Sequence, residues 1–347
     1  MFESQELMQR LSRHAAVWES NNSTPLIGAR IPKEPKSAPK IMPQNFIKAQ
    51  DSPEEVLSRA LDYIDNTYFL GDALPIFFPN FGTSGHAKYF LHTQLSYGDD
   101  TVWYSQSFPE VSETLLQEDS SVFSQELAIF KYLAGHGKGR FLLGMPDNCG
   151  SLDALAHLFG NEALLCAMVE QPDTVYACMQ KMVLRLKETS EQFFAAAQEN
   201  TYGGTVHGWM NLWYPGKHLQ LEADLSVMIS PDMFRRFVLP ELQQTAKFLD
   251  AAVYHLDGVE QLRFLDLILS IPTIKIIQWT HVAGQPSPTQ FMEELQKIQR
   301  AGRGLVLFPE AWEVPILLDS LSPKGLNLMV RGLHTPEEWQ ALIDKCG

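Results

Sequence analysis

Cysteine is scarce in this chain. Only Cys149, Cys166, Cys178 and Cys346 occur in 347 residues, and no two stand at CxxC or another short spacing. That excludes a disulfide scaffold and a zinc-ribbon module. Long hydrophobic runs are missing too: no stretch of about 18 uncharged apolar residues offers a membrane span. The opening MFESQELMQR lacks the basic segment and apolar run of a secretory signal. Basic residues are outnumbered, with Lys+Arg at 27 against Asp+Glu at 41 and a net charge of −14. An acidic surface repels phosphate backbones and argues against general nucleic-acid binding. The expectation is a reduced, cytoplasmic protein with free thiols and neither a membrane nor a nucleic-acid partner.

What is present is a globular composition, 45% hydrophobic and 20% charged, which excludes disorder and fibrous repeats. The length suits roughly two ordinary domains or one (β/α)8 barrel. Leu7, Met8, Leu11, Ala15 and Trp18 recur near helical spacing and predict an amphipathic helix over the first twenty residues. Residues 33–45 hold three prolines directly after Pro32 and read as an extended loop.

Beyond that point short apolar runs alternate with helical patterns. The runs are Pro25–Ile31, Leu74–Phe81, Phe141–Pro146, Thr205–Leu212, Ala252–Leu256, Ile274–Trp279, Leu305–Phe308 and Leu326–Val330. They are nearly continuous in apolar residues, as strands buried on both faces are. Helix starts are marked by Ser52-Pro53-Glu54-Glu55, Ser287-Pro288-Thr289-Gln290 and Thr335-Pro336-Glu337-Glu338, and by Ser230-Pro231-Asp232 without the box. A long amphipathic helix covers 171–199, and residues 83–110 read as an inserted hairpin or long loop. Eight strands with intervening helices predict a TIM barrel, residues 24–347, preceded by a helical extension, residues 1–23. A doubly wound sheet is the alternative. It calls for a glycine-rich phosphate turn after the first strand, and ARIPKEPK is not one. Gly135–Arg140 resembles a phosphate cradle, but it precedes a strand and reads as a turn.

A barrel carries its active site at the carboxyl ends of its strands. That rule selects Arg30; Asn80; Asp147, Asn148 and Cys149; His207, Trp209, Asn211 and Trp213; His255 and Asp257; Gln278, Trp279 and His281; Glu310; and Arg331. His255 and Asp257, two apart on a strand, point to the same side. They can converge on a metal with His207 or Glu310 completing the shell. Equally, Asp257 can orient His255, or Asp257-Gly258 can form a turn. Arg30 and Arg331 end the first and last strands and together suit a carboxylate or phosphate, or a rim salt bridge. The tryptophans offer a dry wall for a flat or apolar ligand. Cys149 as a nucleophile requires an adjacent base. His14, His92, His157, His218 and His334 fall outside the strand ends and read as solvated or structural.

ADLSVMISPDMFRRFVLPELQQ followed by AVYHLDG resembles the uroporphyrinogen decarboxylase superfamily. RFLLGMPDNCGSLDALAHLFGNEALLCAMVEQPDTV and PLIGAR carry the likeness further, over most of 18–345 and most specifically over Asp224 through Gly258. The resemblance implies a TIM barrel. It is incomplete toward the true decarboxylases. Arg30 matches the first arginine of their strand-one motif, but the second falls near Glu34 and the following Gly-Arg-Tyr is absent. Asn80 stands for the substrate-binding aspartate, and the histidine near strand eight has no match. The cations that an octacarboxylate requires are gone.

The other branch, cobalamin- or thiol-linked methyltransferases, holds zinc with a His-x-Cys pair and a later cysteine. Here His255 matches the histidine, Asp257 replaces the cysteine, and no cysteine lies between Cys178 and Cys346. A His/Asp/Glu shell is harder than a thiolate shell. The resemblance therefore implies a methyltransferase-like enzyme moving a methyl group from a small substrate to a corrinoid or other acceptor. Zinc is the expected metal, bound by His255, Asp257 and Glu310. His255, Asp257, Asp147 and His207 are the expected catalytic groups. Arg30, Asn80, Asn148, Trp209, Trp213, Gln278, Trp279 and Arg331 are the expected substrate contacts. A corrinoid would ride on a separate partner protein, since the order His255–Asp257 is not that of a corrinoid-binding motif. A homodimer is expected. The alternatives are a metal-independent decarboxylase or lyase of a small carboxylated substrate, and a barrel that binds a small molecule without turning it over.

Overall fold

The computed structural model describes residues 4–34, 46–98, 101–280, 282 and 284–346. The strands are β1 (Leu26–Pro32), β2 (Thr67–Gly71), β3 (Ile76–Phe77), β4 (Gln94–Tyr97), β5 (Val102–Ser105), β6 (Leu142–Leu143), β7 (Thr205–His207), β8 (Leu212–Tyr214), β9 (His218–Leu221), β10 (Ala251–Asp257), β11 (Ile274–Thr280), β12 (Gly304–Leu307) and β13 (Leu326–Val330). One sheet of seven runs β2-β1-β13-β12-β11-β10-β9. All its ladders are parallel except β1 with β2. β3 pairs in parallel with β6, and a parallel bridge from Met145 to His207 carries that pair to β7. Helices cover the outer face, giving a mixed α/β fold of TIM-like character.

The structure differs from the expected barrel in three ways. First, the ring is not one continuous ladder among the described residues. The edge of β1 away from β13 is taken by antiparallel β2. Pro75, Pro79 and Pro146, which lack an N–H, confine β3 and β6 to two residues each. Second, the run Thr205–Leu212 is not one strand. It turns at Asn211, where φ is +54, and β8 returns antiparallel on β7. Third, the strand that joins β10 is β9, His218–Leu221, a segment that carries no continuous apolar run. The hairpin expected within 83–110 is present as β4 and β5. The proline-rich loop lies outside the described residues apart from Lys33 and Glu34.

Alternation along the strands sorts the core into layers. In β9, Leu219 and Leu221 join the large cluster packed under the helices. His218 and Gln220 therefore take the opposite, inner face. In β10, Ala252, Tyr254 and Leu256 join that same outer cluster. Ala251 and Val253 pack inside with Leu26, Ile276 and Val306, which places His255 and Asp257 above them on the inner face. The first helix, α1 (Ser4–Trp18), closes the opposite end of the sheet. Its Val17 and Trp18 belong to the inner cluster, and the Trp18 indole donates to the Trp213 carbonyl at 2.9 Å. The long helix forms as Pro172–Ala197. The Thr335 hydroxyl accepts from the Glu338 N–H, and the Glu338 carboxylate accepts from the His334 N–H. Among the described residues no single helix is long and apolar enough to cross a membrane.

Candidate functional site

The carboxyl end of β10 presents His255. Its Nδ1 lies 2.5 Å from Oε1 of Gln278, its register partner on β11. The Gln278 amide donates in turn to the Thr280 hydroxyl at 3.0 Å, so its carbonyl faces the imidazole and receives the Nδ1 proton. The Trp209 ring meets His255 edge-on, with centroids 5.5 Å apart. Asp257 Oδ1 stands 4.0 Å from His255 Nε2.

The end of β9 delivers two carboxylates beside this imidazole. Glu222, Asp224 and His255 each offer one ligand atom, all within 4.8 Å of one another. Glu222 is positioned by a directed chain. The Met210 N–H donates to His207 Nδ1 at 3.4 Å, so the ring proton sits on Nε2 and donates to Gln220 Oε1 at 3.1 Å. The Gln220 amide then donates to Glu222 Oε2. Burial holds the His207 pKa down at about 3, and the ring acts as a neutral donor.

Asp147, at the end of β6, is the third acid of this group. Burial pushes its carboxyl up to about 6; His255, the Trp209 indole and the Asn148 N–H pull it partly back. Its Oδ1 is buried without a hydrogen-bond partner among the described residues. Burial likewise raises Glu222 well above the ordinary range, assisted by Asp224 and Asp147. It raises Asp224 as well, against the attraction of His255.

A cavity of about 240 Å3 lies at the ends of β1 and β13, lined by Arg30, Tyr63, Phe308, Met329 and Arg331 among others. Arg30 donates to the Trp209 carbonyl at 3.3 Å and has no carboxylate partner among the described residues. Arg331 has one: Glu310 Oε1 lies 3.8 Å from its Nε. The Trp209 ring stacks on Phe308 at 6.0 Å. Trp209 thus contacts His255 on one side and Phe308 and Arg30, which line the cavity, on the other.

The other expected residues fall in distinct places. Asn148 ties the loop after β6 to β9, donating to the Gln220 carbonyl at 2.9 Å. Asn80 is spent on its own turn, accepting from the Gly82 N–H. Trp213 packs with Leu7, Leu11 and Leu74 and donates to the Thr201 carbonyl. Trp279 faces outward against Phe291, with centroids 5.4 Å apart, because its neighbour Gln278 faces in. Glu310 is engaged with Arg331 and does not join His255; nor does any cysteine among the described residues. His281 lies outside the described residues. Sequence reasoning missed Gln220, Glu222 and Asp224 as site residues. The alternation His218-Leu-Gln220-Leu-Glu222 is the signal that identifies them.

Over its whole length the chain is similar to a solved methyltransferase from Methanosarcina mazei. The TM-score is 0.61 at 12% identity, covering 96% of this chain and 97% of that one. The likeness is one of fold. No family model matches the sequence, and no curated protein matches it.

Proposed function

We propose that this chain is a methyltransferase-like enzyme of the uroporphyrinogen decarboxylase superfamily, acting on a small anionic substrate. One observation carries the reading. Trp209 lies between an imidazole set among carboxylates and two residues that line a cavity, Phe308 and Arg30, an arginine with no carboxylate partner among the described residues. Such a two-ended site suits a short molecule with an anionic tail and a reacting head. Arg30, supported by Arg331, binds the tail. Trp209 and Phe308 wall the middle and exclude water. Transfer of a methyl cation equivalent leaves the donor heteroatom with an extra electron pair. Asp147, whose carboxyl keeps its proton up to about pH 6, supplies the proton that neutralises it. The acceptor is a corrinoid carried by a separate protein, or another small nucleophile.

The zinc implied by the resemblance is a thiolate-bound ion, and the residues here do not fit it. Cys149 is buried, with its thiol pushed well above the ordinary range, and no sulfur stands with His255.

A second reading, decarboxylation of a small carboxylated substrate, is favoured by the same Asp147, an acid raised by burial and set to protonate a carbanion. One assay separates the two. The full chain is incubated with methylated thiols, amines and carboxylates together with reduced cobalamin. Methyl transfer is followed by the visible spectrum of methylcobalamin, and decarboxylation by released carbon dioxide. Methylcobalamin formation that is lost in His255→Ala supports the proposal. Carbon dioxide release without methyl transfer replaces it with the second reading.

A further inference from the structure

His255 is oriented from behind. Gln278 is held by the Thr280 hydroxyl and takes the Nδ1 proton. The Nε2 lone pair is therefore the free coordinating position; it lies 4.0 Å from Asp257, and the ring offers a nitrogen within 4.8 Å of oxygens of Glu222 and Asp224. Once Glu222 and Asp224 are ionised, their oxygens and this lone pair are all hydrogen-bond acceptors. Acceptors this close repel unless a positive centre sits between them. Among the described residues no lysine or arginine pairs with Glu222, Asp224 or Asp147. Nearby, Asp147 Oδ1 is likewise buried without a hydrogen-bond partner among the described residues. Metal-binding histidines are held in this same way, with the second ring nitrogen donating to an oxygen outside the coordination shell. The His207–Gln220 chain does the same for Glu222.

We propose that Glu222, Asp224 and His255 bind one divalent cation. The shell contains one nitrogen, otherwise oxygen, and no sulfur. Such a donor set takes a hard to borderline ion of the manganese class, where the thiolate shell of the resembled enzymes takes zinc. The inference shares the site of the proposed function but does not require methyl transfer.

The test is a manganese titration of the chelator-stripped full chain, following the free aqueous Mn2+ signal by electron paramagnetic resonance. One Mn2+ per chain is expected. The isosteric variants Glu222→Gln and Asp224→Asn, and separately His255→Gln, should each weaken binding at least tenfold while keeping the wild-type melting profile. Gln278→Leu, a positioning change, should weaken it roughly 10- to 100-fold. Gln278→Glu, which still accepts from Nδ1, should restore most of it. Cd2+ should displace Mn2+ with only a modest advantage, since no thiolate is present to favour the softer ion. No Mn2+ uptake at millimolar concentration overturns the proposal, as does uptake that E222Q, D224N and H255Q all leave unchanged. The two readings fail separately. Manganese uptake without methyl transfer removes only the proposed function. Methyl transfer by a stripped protein that takes up no Mn2+ removes only the cation site.

Discussion

Arg30 and Arg331 line one cavity, yet among the described residues only Arg331 has a carboxylate within reach, Glu310 at 3.8 Å. The two guanidinium groups are therefore unequal. Arg30 offers its charge undiminished, and its one hydrogen bond goes to a main-chain oxygen at 3.3 Å. Arg30→Met should weaken small dicarboxylates, phosphate or short sulfonates by roughly 10- to 100-fold, the worth of a charge-assisted pair. Arg331→Met should cost less, because Glu310 already neutralises part of the Arg331 charge in the wild type. Isothermal titration of both variants with the same anions decides the order, and a larger loss at Arg331 contradicts it.

Glu241 governs a different property, the dependence of stability on pH. It is buried, accepts from the Ser151 N–H at 3.1 Å, and burial pushes its carboxyl from 4.5 up to about 7. The folded chain therefore holds this proton more tightly than the unfolded chain does. The associated stability is complete below about pH 4.5 and is lost as pH rises to about 7, on the order of 3 kcal/mol in all. Glu241→Gln should flatten that part of the profile and be the more stable form above neutrality. Urea unfolding of both proteins between pH 4.5 and 8 measures the difference, and parallel profiles exclude the assignment.

Lys88 and Glu126 form a buried ion pair at 2.6 Å, with side chains 3% and 1% exposed. The Lys88 ammonium also donates to the Phe81 carbonyl, and Tyr89 donates to the same glutamate at 2.6 Å. Lys88→Met leaves a carboxylate stranded in the core and should cost about 3–5 kcal/mol. The double variant Lys88→Met with Glu126→Gln removes both charges and should recover much of that loss. A double variant no more stable than the single one in chemical denaturation would show that the pair is not the source of the effect.

Trp18 is 1% exposed and belongs to the inner cluster between the sheet and α1. Truncation to Ala should cost about 3–5 kcal/mol through the cavity it opens. It also frees the Trp213 carbonyl that accepts its indole proton. A melting temperature within a degree of wild type would mean that α1 does not hold this end of the sheet.

The strands from β10 to β13 were legible because both of their faces meet apolar neighbours, so the sequence reads as unbroken Val, Ile and Leu. β9 hid behind the opposite circumstance. Its inner face carries His218 and Gln220, and Glu222 follows, so half of its residues are polar and no apolar run appears. The expected fourth strand was placed at Thr205–Leu212 instead, and with it went the carboxylates that stand beside His255. The pairing of His255 with a carboxylate was legible, but its neighbours were not. Asp257 is adjacent in sequence, whereas Glu222 and Asp224 arrive from another strand, a relation that spacing does not record. Gln278 and Trp279 show a second limit. Both end the same strand, but alternation lets only one face inward, and the sequence alone does not say which.

The contact between α1 and β8 ties residues far apart along the chain. Trp18 bonds to a carbonyl 195 positions later, and Asn22 caps the N–H of Gly325, 303 positions away. Arg13 and His14 of the same helix bond to Asp72, much nearer along the chain, whereas these two bonds close long loops. Loop closure over such spans is entropically costly and comes late. Leu7 and Leu11 have a partner nearby in Leu74 and Ile76, while Trp18 and Asn22 fasten the same end of the fold to segments 195 and 303 positions further on.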